Sequence, residues 1–383
     1  MKIVHVAEAF AGGIPVFIKS LIDNMPDDQH IIVHGNRTNV TSADKIKKQF
    51  THPNVRFIYW RAAQRSIHPY KDSVAFLQLL NALKRLKKKN MIDVVHLHSS
   101  KAGFLGRVAC NLLGIKNVIY TPNGAPFMVG ESKLSNAAYK NLERLGSKFP
   151  GQVVCCSLSE QIAYEKAGIK SIRINNGIAT NEEGLPVFPY KKPVLKKNTF
   201  RVVTNGRIVH QKNPELFNKI ASYFEDLPSF EFVWVGDGAK RHLLTAPNIT
   251  VTGWISTNDV NELIKEGDVY LSTANFEGLS FATLEALALK KPVLLNDCVG
   301  NKDVVNQGLN GDLFSTEHDA IVKILRYYNN RPMLQAMGKH SSDHCRDSFD
   351  AKDTAEQYRR LYQTNSIPET DFSSIQYQQK LSL

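Results

Sequence analysis

The stretch from Val269 to Leu295, VYLSTANFEGLSFATLEALALKKPVLL, constrains the fold of this chain more than any other. Val269 to Ser272 is an apolar run of strand length, and Pro292 to Leu295 is a second. Between them, Phe281 to Leu289 predicts a short helix. Two buried strands joined through a helix are the crossover unit of a parallel sheet, so an α/β fold is expected. The helix is almost wholly apolar, yet Glu285 sits in its middle and Glu277 in the loop ahead of it. A carboxylate buried without a partner costs several kcal/mol, so Glu285 needs one. Ser280 is placed as an N-cap, and Gly278 lets the backbone approach a neighbour closely. A helix N-terminus that follows a strand attracts anions. Two carboxylates therefore flank a place suited to phosphate. A structural ion pair for Glu285 and a solvated loop position for Glu277 would account for the same residues.

Strand and helix signals alternate through the rest of the chain. Lys2 to Ala7 reads as a buried strand, followed by Gly12-Gly13 and a helical pattern through Ile18, Leu21 and Ile22. Further strands are expected at Ile31 to Val33, Val55 to Tyr59, Asp93 to His98, Asn117 to Tyr120, Val153 to Ser157 and Ser171 to Ile174. Asp72 to Lys89 is an amphipathic helix that ends in five basic residues among six. By alternation His96 and His98 share a face, and His98 lies at a strand's carboxyl end, where open α/β sheets bind ligands. From Ala179 to Thr199 the pattern breaks into prolines and lysines, which marks a linker. The alternation then restarts at Arg201 to Thr204, Glu231 to Val235 and Ile249 to Thr252, with late helices at Ile321 to Tyr328 and around Thr354 to Tyr362. The expected layout is an N-terminal Rossmann-like domain over 1–178, a linker over 179–200, a C-terminal Rossmann-like domain over 201–350, and a closing helix and polar tail over 351–383. Two such doubly wound domains face each other across a cleft lined by their loops.

The net charge of +12 is unevenly placed: residues 1–178 hold 25 Lys+Arg against 11 Asp+Glu, while residues 179–383 hold 23 against 25. The basic half calls for an anionic partner. No apolar run reaches the roughly 18–20 residues of a membrane span, and the first residues read as a strand rather than a signal peptide. Five scattered cysteines without a CxxC fit reduced thiols in a cytoplasm.

In the C-terminal half, Arg207 and Lys212 follow a strand. With the helix N-terminus near Ser280 they suit a diphosphate, and Glu277 and Glu285 suit the hydroxyls of a sugar and a ribose. No D-x-D pair of aspartates is present to hold a divalent metal against that diphosphate, so no metal or other cofactor is expected. EGLSFATLE, Glu277 to Glu285, followed by Ala286 and Pro292-Val293, resembles the signature of glycosyltransferase family 4, retaining enzymes of the GT-B fold. Gly206-Arg207, Lys212-Asn213-Pro214, VGDG at 235–238, TGW at 252–254 and Asn176-Gly177-Ile178 support the resemblance. In the N-terminal half, Gly12-Gly13 and HLHSSKAGFLGR at 96–107 look like the bacterial polysaccharide-assembly members.

The resemblance implies roles. Glu277 would hold donor-sugar hydroxyls and Glu285 the ribose. Arg207 and Lys212 would neutralise the diphosphate and stabilise the leaving group. Backbone N–H groups of Leu279, Ser280 and Phe281, the backbone at Gly206 and Gly278, and Gly12-Gly13 from the facing domain would complete the substrate site. His98 would lie near the sugar or acceptor. Many relatives carry TPHG where this chain has Thr121-Pro122-Asn123-Gly124, and Asn123 can hydrogen-bond but not act as a base. The implied activity is transfer of a hexose or N-acetylhexosamine from a nucleotide diphosphate sugar, a UDP-sugar first among them. The acceptor would be a lipid-linked saccharide in capsule, O-antigen or exopolysaccharide synthesis, used by a cytoplasmic protein held peripherally at the anionic inner membrane surface. A sugar-nucleotide 2-epimerase shares the architecture and is the rival enzyme. A non-catalytic binder of sugar nucleotide or of an anionic surface is the rival from another class. The basic residues are not interleaved with aromatics in an RNA-binding motif, so nucleic acid is not expected.

Overall fold

The computed structural model describes residues 1–36, 43–64, 68–128, 132–179 and 199–364. Most of the expected linker and the tail beyond Thr364 lie outside them. The first half runs β1 (Lys2–Ala7), α1 (Gly13–Asp23), β2 (Gln29–His34), α2 (Ala43–Lys47), β3 (Val55–Tyr59), α3 (Pro69–Lys88), β4 (Val94–His98), α4 (Ser100–Leu112), β5 (Val118–Thr121), α5 (Lys133–Gly146), β6 (Gln152–Cys155), α6 (Leu158–Lys166) and β7 (Ile172–Arg173). The second runs β8 (Phe200–Asn205), α7 (Pro214–Ser222), β9 (Phe230–Val235), β10 (Ile249–Val251), α8 (Thr257–Glu266), β11 (Val269–Ser272), α9 (Phe281–Ala288), β12 (Val293–Asn296), β13 (Gly311–Phe314), α10 (Glu317–Asn329), α11 (Arg331–Ser348) and α12 (Ala351–Thr364).

Each half builds one parallel sheet, in the orders β3-β2-β1-β4-β5-β6-β7 and β10-β9-β8-β11-β12-β13. The central strands, β1, β4 and β5 in the first sheet and β8, β9, β11 and β12 in the second, are near-continuous buried runs because helices cover both faces, whereas the edge strands β3, β7 and β10 are only partly covered. In each sheet the order reverses beside the first strand (β1/β4 and β8/β11), which opens a crevice at the carboxyl ends. The β11–α9–β12 crossover matches the sequence expectation closely. Leu284 and Leu287 of α9 are fully buried and contribute about 1.5–3 kcal/mol each. That burial fixes α9 between its sheet and α11 and so fixes the loop before it.

The chain crosses between the halves twice. Gly177 passes against Asp350, where a Cβ would stand 2.3 Å from the Asp350 carbonyl oxygen. Ile178 donates to Phe349 O at 2.9 Å, and Ala351 donates to Ile178 O at 3.1 Å. After this second crossing α12 packs on the first sheet. Tyr358, Leu361 and Tyr362 join Ile3, Phe17, Val94, Ile119 and Ile174 in one core. The last described helix therefore belongs, by packing, to the N-terminal half. All five cysteines are free and buried. Among the described residues no helix is long and apolar enough to cross a membrane.

Candidate active site

The loop between β11 and α9 meets loops of the facing half. Ser280 holds the N-cap position of α9, but its side chain makes no capping bond; only its carbonyl accepts, from Thr283 and Leu284. The first N–H groups of α9 therefore remain available to an acceptor, as at any uncapped helix start. Gly13, at the start of α1, lies against this end: a Cβ there would sit 3.3 Å from the Phe281 ring. Asn123 has φ 58°, and Gly124 follows with φ 111°. A Cβ on Gly278 would stand 2.7 Å from Gly124 N, so glycine is required for the two loops to touch. Asn176 donates to Leu279 O at 3.0 Å from the first half. Gly12, Gly13, Asn123, Gly278, Leu279, Ser280 and Phe281 thus come together across the cleft.

The charged residues gather on the second half. Lys212 Nζ lies 2.7 Å from Glu277 Oε1, and Gln211 donates to Glu277 Oε2 at 3.3 Å. Gly206 has φ 132°, and a Cβ there would stand 3.4 Å from Lys212 Cε. Burial pulls the Lys212 ammonium down, but the Glu277 carboxylate leads the opposing contributions and the net shift is upward. Arg207 is close enough to oppose that rise. Lys212 is therefore a fixed cation beside a carboxylate that accepts hydrogen bonds. Thr273 donates to the carbonyls of Lys212 and Asn213, tying the cation's turn to the end of β11.

Glu285 projects from α9 toward the end of β8. Desolvation pushes its carboxyl up to about 7, against a hydrogen bond from Asn205 and the charge of Lys212. Asn205 is in turn oriented by Tyr270, whose hydroxyl donates to it at 2.9 Å. Glu285 thus has the partner its apolar helix required. Its low solvation makes it a strong acceptor for a hydroxyl when ionised.

His98 lies elsewhere. It is fully buried and belongs to a histidine row inside the first half. Met25 O only accepts, so His30 Nε2, 3.2 Å away, carries a proton. His30 Nδ1 then accepts from His5 Nε2 at 3.2 Å, and His5 Nδ1 accepts from His98 Nε2 at 3.1 Å. His98 Nδ1 ends the row as a buried lone pair without a hydrogen-bond partner. Burial lowers His98 to about 3, so the ring is neutral. Beside it, His96 contacts Tyr362 OH and Thr121 Oγ1, both at 2.7 Å. His96 and His98 do share a face, with ring centroids 4.1 Å apart. Ring nitrogens of His5, His96 and His98 approach one another within 4.8 Å, but all except His98 Nδ1 are already engaged within the protein. With no exposed surface, His98 meets neither sugar nor acceptor in this conformation.

Sequence reasoning missed the first turn of α6. Ser159 donates to Asp303 of the second half through its N–H at 2.9 Å and through its hydroxyl, and accepts from Gly300 N at 2.8 Å. Glu160 holds Gly124 and Cys156. The only local signal was Ser157 as an N-cap, which says nothing of partners 144 residues away.

Comparisons with known proteins identify the family and the fold. Residues 11–182 match the family described as Glycosyltransferase Family 4, and residues 190–344 match that described as Glycosyl transferases group 1. The chain is 28% identical over 331 residues to an Escherichia coli UDP-Gal:alpha-D-GlcNAc-diphosphoundecaprenol alpha-1,3-galactosyltransferase, covering 81% of this chain and 84% of that one. It is 28% identical to the Escherichia coli O-antigen biosynthesis glycosyltransferase WbnH, over 69% and 77% of the two chains. The crystal structure of Anabaena HepE in complex with UDP and glucose superposes with a TM-score of 0.74 at 17% identity, over 95% and 100% of the two chains, which shows the GT-B fold. With both halves matched, the chain belongs to glycosyltransferase family 4 and is a glycosyltransferase of the GT-B fold.

Proposed function

We propose that this glycosyltransferase moves a hexose or N-acetylhexosamine from a UDP-sugar to a lipid-linked saccharide during surface polysaccharide synthesis. The observation that carries the reading is the Lys212–Glu277 pair beside the uncapped start of α9, closed from the other half by Gly13 and Asn123-Gly124. A diphosphate laid at the start of α9 would take Lys212 and Arg207 as counter-charges. These cations act most strongly as negative charge develops on the leaving group, which is electrostatic catalysis. Glu277 would accept from sugar hydroxyls and Glu285 from the ribose. Retention of anomeric configuration belongs to the same reading.

The similarity to an enzyme whose name specifies UDP-Gal and a diphosphoundecaprenol acceptor supports the substrate classes. The basic first half supports a negatively charged surface as the place of work. On α5, Leu134 is 84% exposed and Leu145 is exposed, with Lys133, Arg144 and Lys148 nearby in sequence. That combination suits peripheral contact with anionic lipid at the inner face of the cell membrane.

The deciding experiment follows nucleotide diphosphate release from UDP-, GDP- and dTDP-sugars, with and without a polyprenyl diphosphate sugar. Release only when a UDP-sugar and the lipid acceptor are both present is expected, and Glu277→Ala should abolish it with the fold intact. Epimerised donor without acceptor would replace this reading with the epimerase. Tight donor binding with no release from any pair would replace it with a sugar-nucleotide sensor.

A further inference from the structure

Glu160, in the first turn of α6, is completely buried. Ser157 caps that turn and accepts the Glu160 N–H at 3.2 Å, which fixes the start of the helix. The Glu160 carboxylate reaches to two neighbouring strand ends. Oε1 accepts the Gly124 N–H at 2.8 Å; Oε2 accepts the Cys156 N–H at 2.8 Å and the Cys156 thiol at 3.2 Å. These partners are donors and a carboxylate offers acceptors; burial raises the Glu160 carboxyl above its ordinary range, and the hydrogen bonds from Cys156 and Gly124 oppose that rise.

The two groups so held face the donor loop. A Cβ on Gly278 would stand 2.7 Å from Gly124 N, 2.8 Å from Cys156 Sγ and 3.0 Å from Asn123 C. Gly278 thus rests on the surface that Glu160 shapes, and it is the next residue after Glu277. The adjacent Ser159 binds Asp303 and Gly300, and Gly300 packs under the same loop: a Cβ there would stand 2.5 Å from Gly278 O and 2.9 Å from Glu277 Cβ.

We propose that Glu160 is a positioning residue for transfer: by clamping Gly124 and Cys156 together, it builds the seat on which the Glu277–Gly278 loop docks in the reacting conformation. It acts through those two residues and touches neither substrate. The role in transfer rests on the glycosyltransferase reading above; the clamp itself does not.

Glu160→Gln keeps the shape but turns one acceptor oxygen into an NH2 group, which must face a backbone N–H of Gly124 or Cys156. Two donors face to face push the seat apart. The expected result is a fall in kcat of at least about tenfold, with UDP affinity within about twofold of wild type, since most donor contacts lie on the other half. Hydrogen exchange of the Gly124 amide should accelerate, while far-UV circular dichroism is unchanged. Gly278→Ala drives a methyl into the same seat from the opposite side and should reproduce the kcat loss with Glu160 intact. If Glu160→Gln does not fold, Glu160→Asp, which keeps the charge but draws the carboxylate back by one methylene, should show the same loss of kcat with UDP affinity kept, and an unchanged kcat there overturns the proposal. Unchanged kcat in Glu160→Gln, parallel losses of kcat and UDP affinity, or unaltered exchange at Gly124 would each overturn the proposal. If the wild-type protein transfers no sugar, the functional reading fails, whereas exchange at Gly124 still decides whether Glu160 clamps that turn.

Discussion

Lowering the pH from 8 to 6 should weaken UDP-sugar binding about tenfold, through Glu285 alone. Burial lifts this carboxyl from 4.5 to about 7, because Asn205 and Lys212 only partly offset its lost hydration. A ribose hydroxyl donates far more strongly to the carboxylate than to the neutral acid, whose carbonyl oxygen is the weaker acceptor, so affinity follows the ionised fraction. For a carboxyl near 7 that fraction is about nine-tenths at pH 8 and about one-tenth at pH 6. The ratio corresponds to about 1.4 kcal/mol. The sign follows from the direction of the shift. Binding that favours the carboxylate is strong above pH 7 and is lost as the pH falls through 7. The rise from 4.5 to about 7 caps the whole effect at about 3.4 kcal/mol. Titration calorimetry with a UDP-sugar, without acceptor, measures this from pH 6 to 8.5. Repeating it in buffers of different ionisation enthalpy should show close to one proton released at pH 6 and almost none at pH 8.5. Glu285→Gln should bind weakly and with no pH slope. A flat wild-type profile, or the same slope in the Gln variant, would refute the assignment of Glu285 to the ribose.

Two other outcomes test the architecture. Gly177→Ala places a methyl 2.3 Å from Asp350 O and 2.4 Å from Thr354 Oγ1 at the crossing of the two halves. It should destabilise the protein by about 3 kcal/mol in urea titrations, and an unchanged midpoint would show that the crossing is loose. Tyr362→Phe removes the hydroxyl that partners His96 and should cost about 1–3 kcal/mol with UDP affinity unmoved. In the same protein, 15N imidazole spectra should report His98 as a neutral Nε2–H tautomer from pH 8 to 5. A His98 that titrates near 6.5 would mean that the row is open to solvent.

Much of the fold was legible from local pattern. Apolar runs of strand length placed β1, β4, β8, β9 and β11 within a residue or two, because a strand buried on both faces has no other composition. The β11–α9–β12 unit was legible for the same reason, and its carboxylates were conspicuous because nothing else on α9 is polar except Thr283. The resemblance supplied the spacing from Glu277 to Glu285, and the structure sets Glu277 against Lys212. Alternation put His98 on the right face of β4 but could not foresee its roof. Phe17 of α1 covers it edge-on at 5.7 Å, and Tyr358 of α12 stacks on neighbouring His96 at 5.2 Å. A strand-end histidine that would otherwise look into the crevice is thereby sealed.

The sequence by itself determined two parallel α/β halves and the β11–α9–β12 crossover with its two carboxylates, because periodicity and turn chemistry act over a few residues. Only the tertiary structure decided which half α12 completes, that His98 is core, and that Ser159 ties the two halves together while Glu160 joins Gly124 to Cys156 within the first. Those outcomes depend on partners far apart in the chain, such as His96 with Tyr362, 266 residues on, and Ser159 with Asp303, 144 residues on. No local preference encodes such a pairing. It is settled when the chain closes and each buried polar group must find a donor or an acceptor.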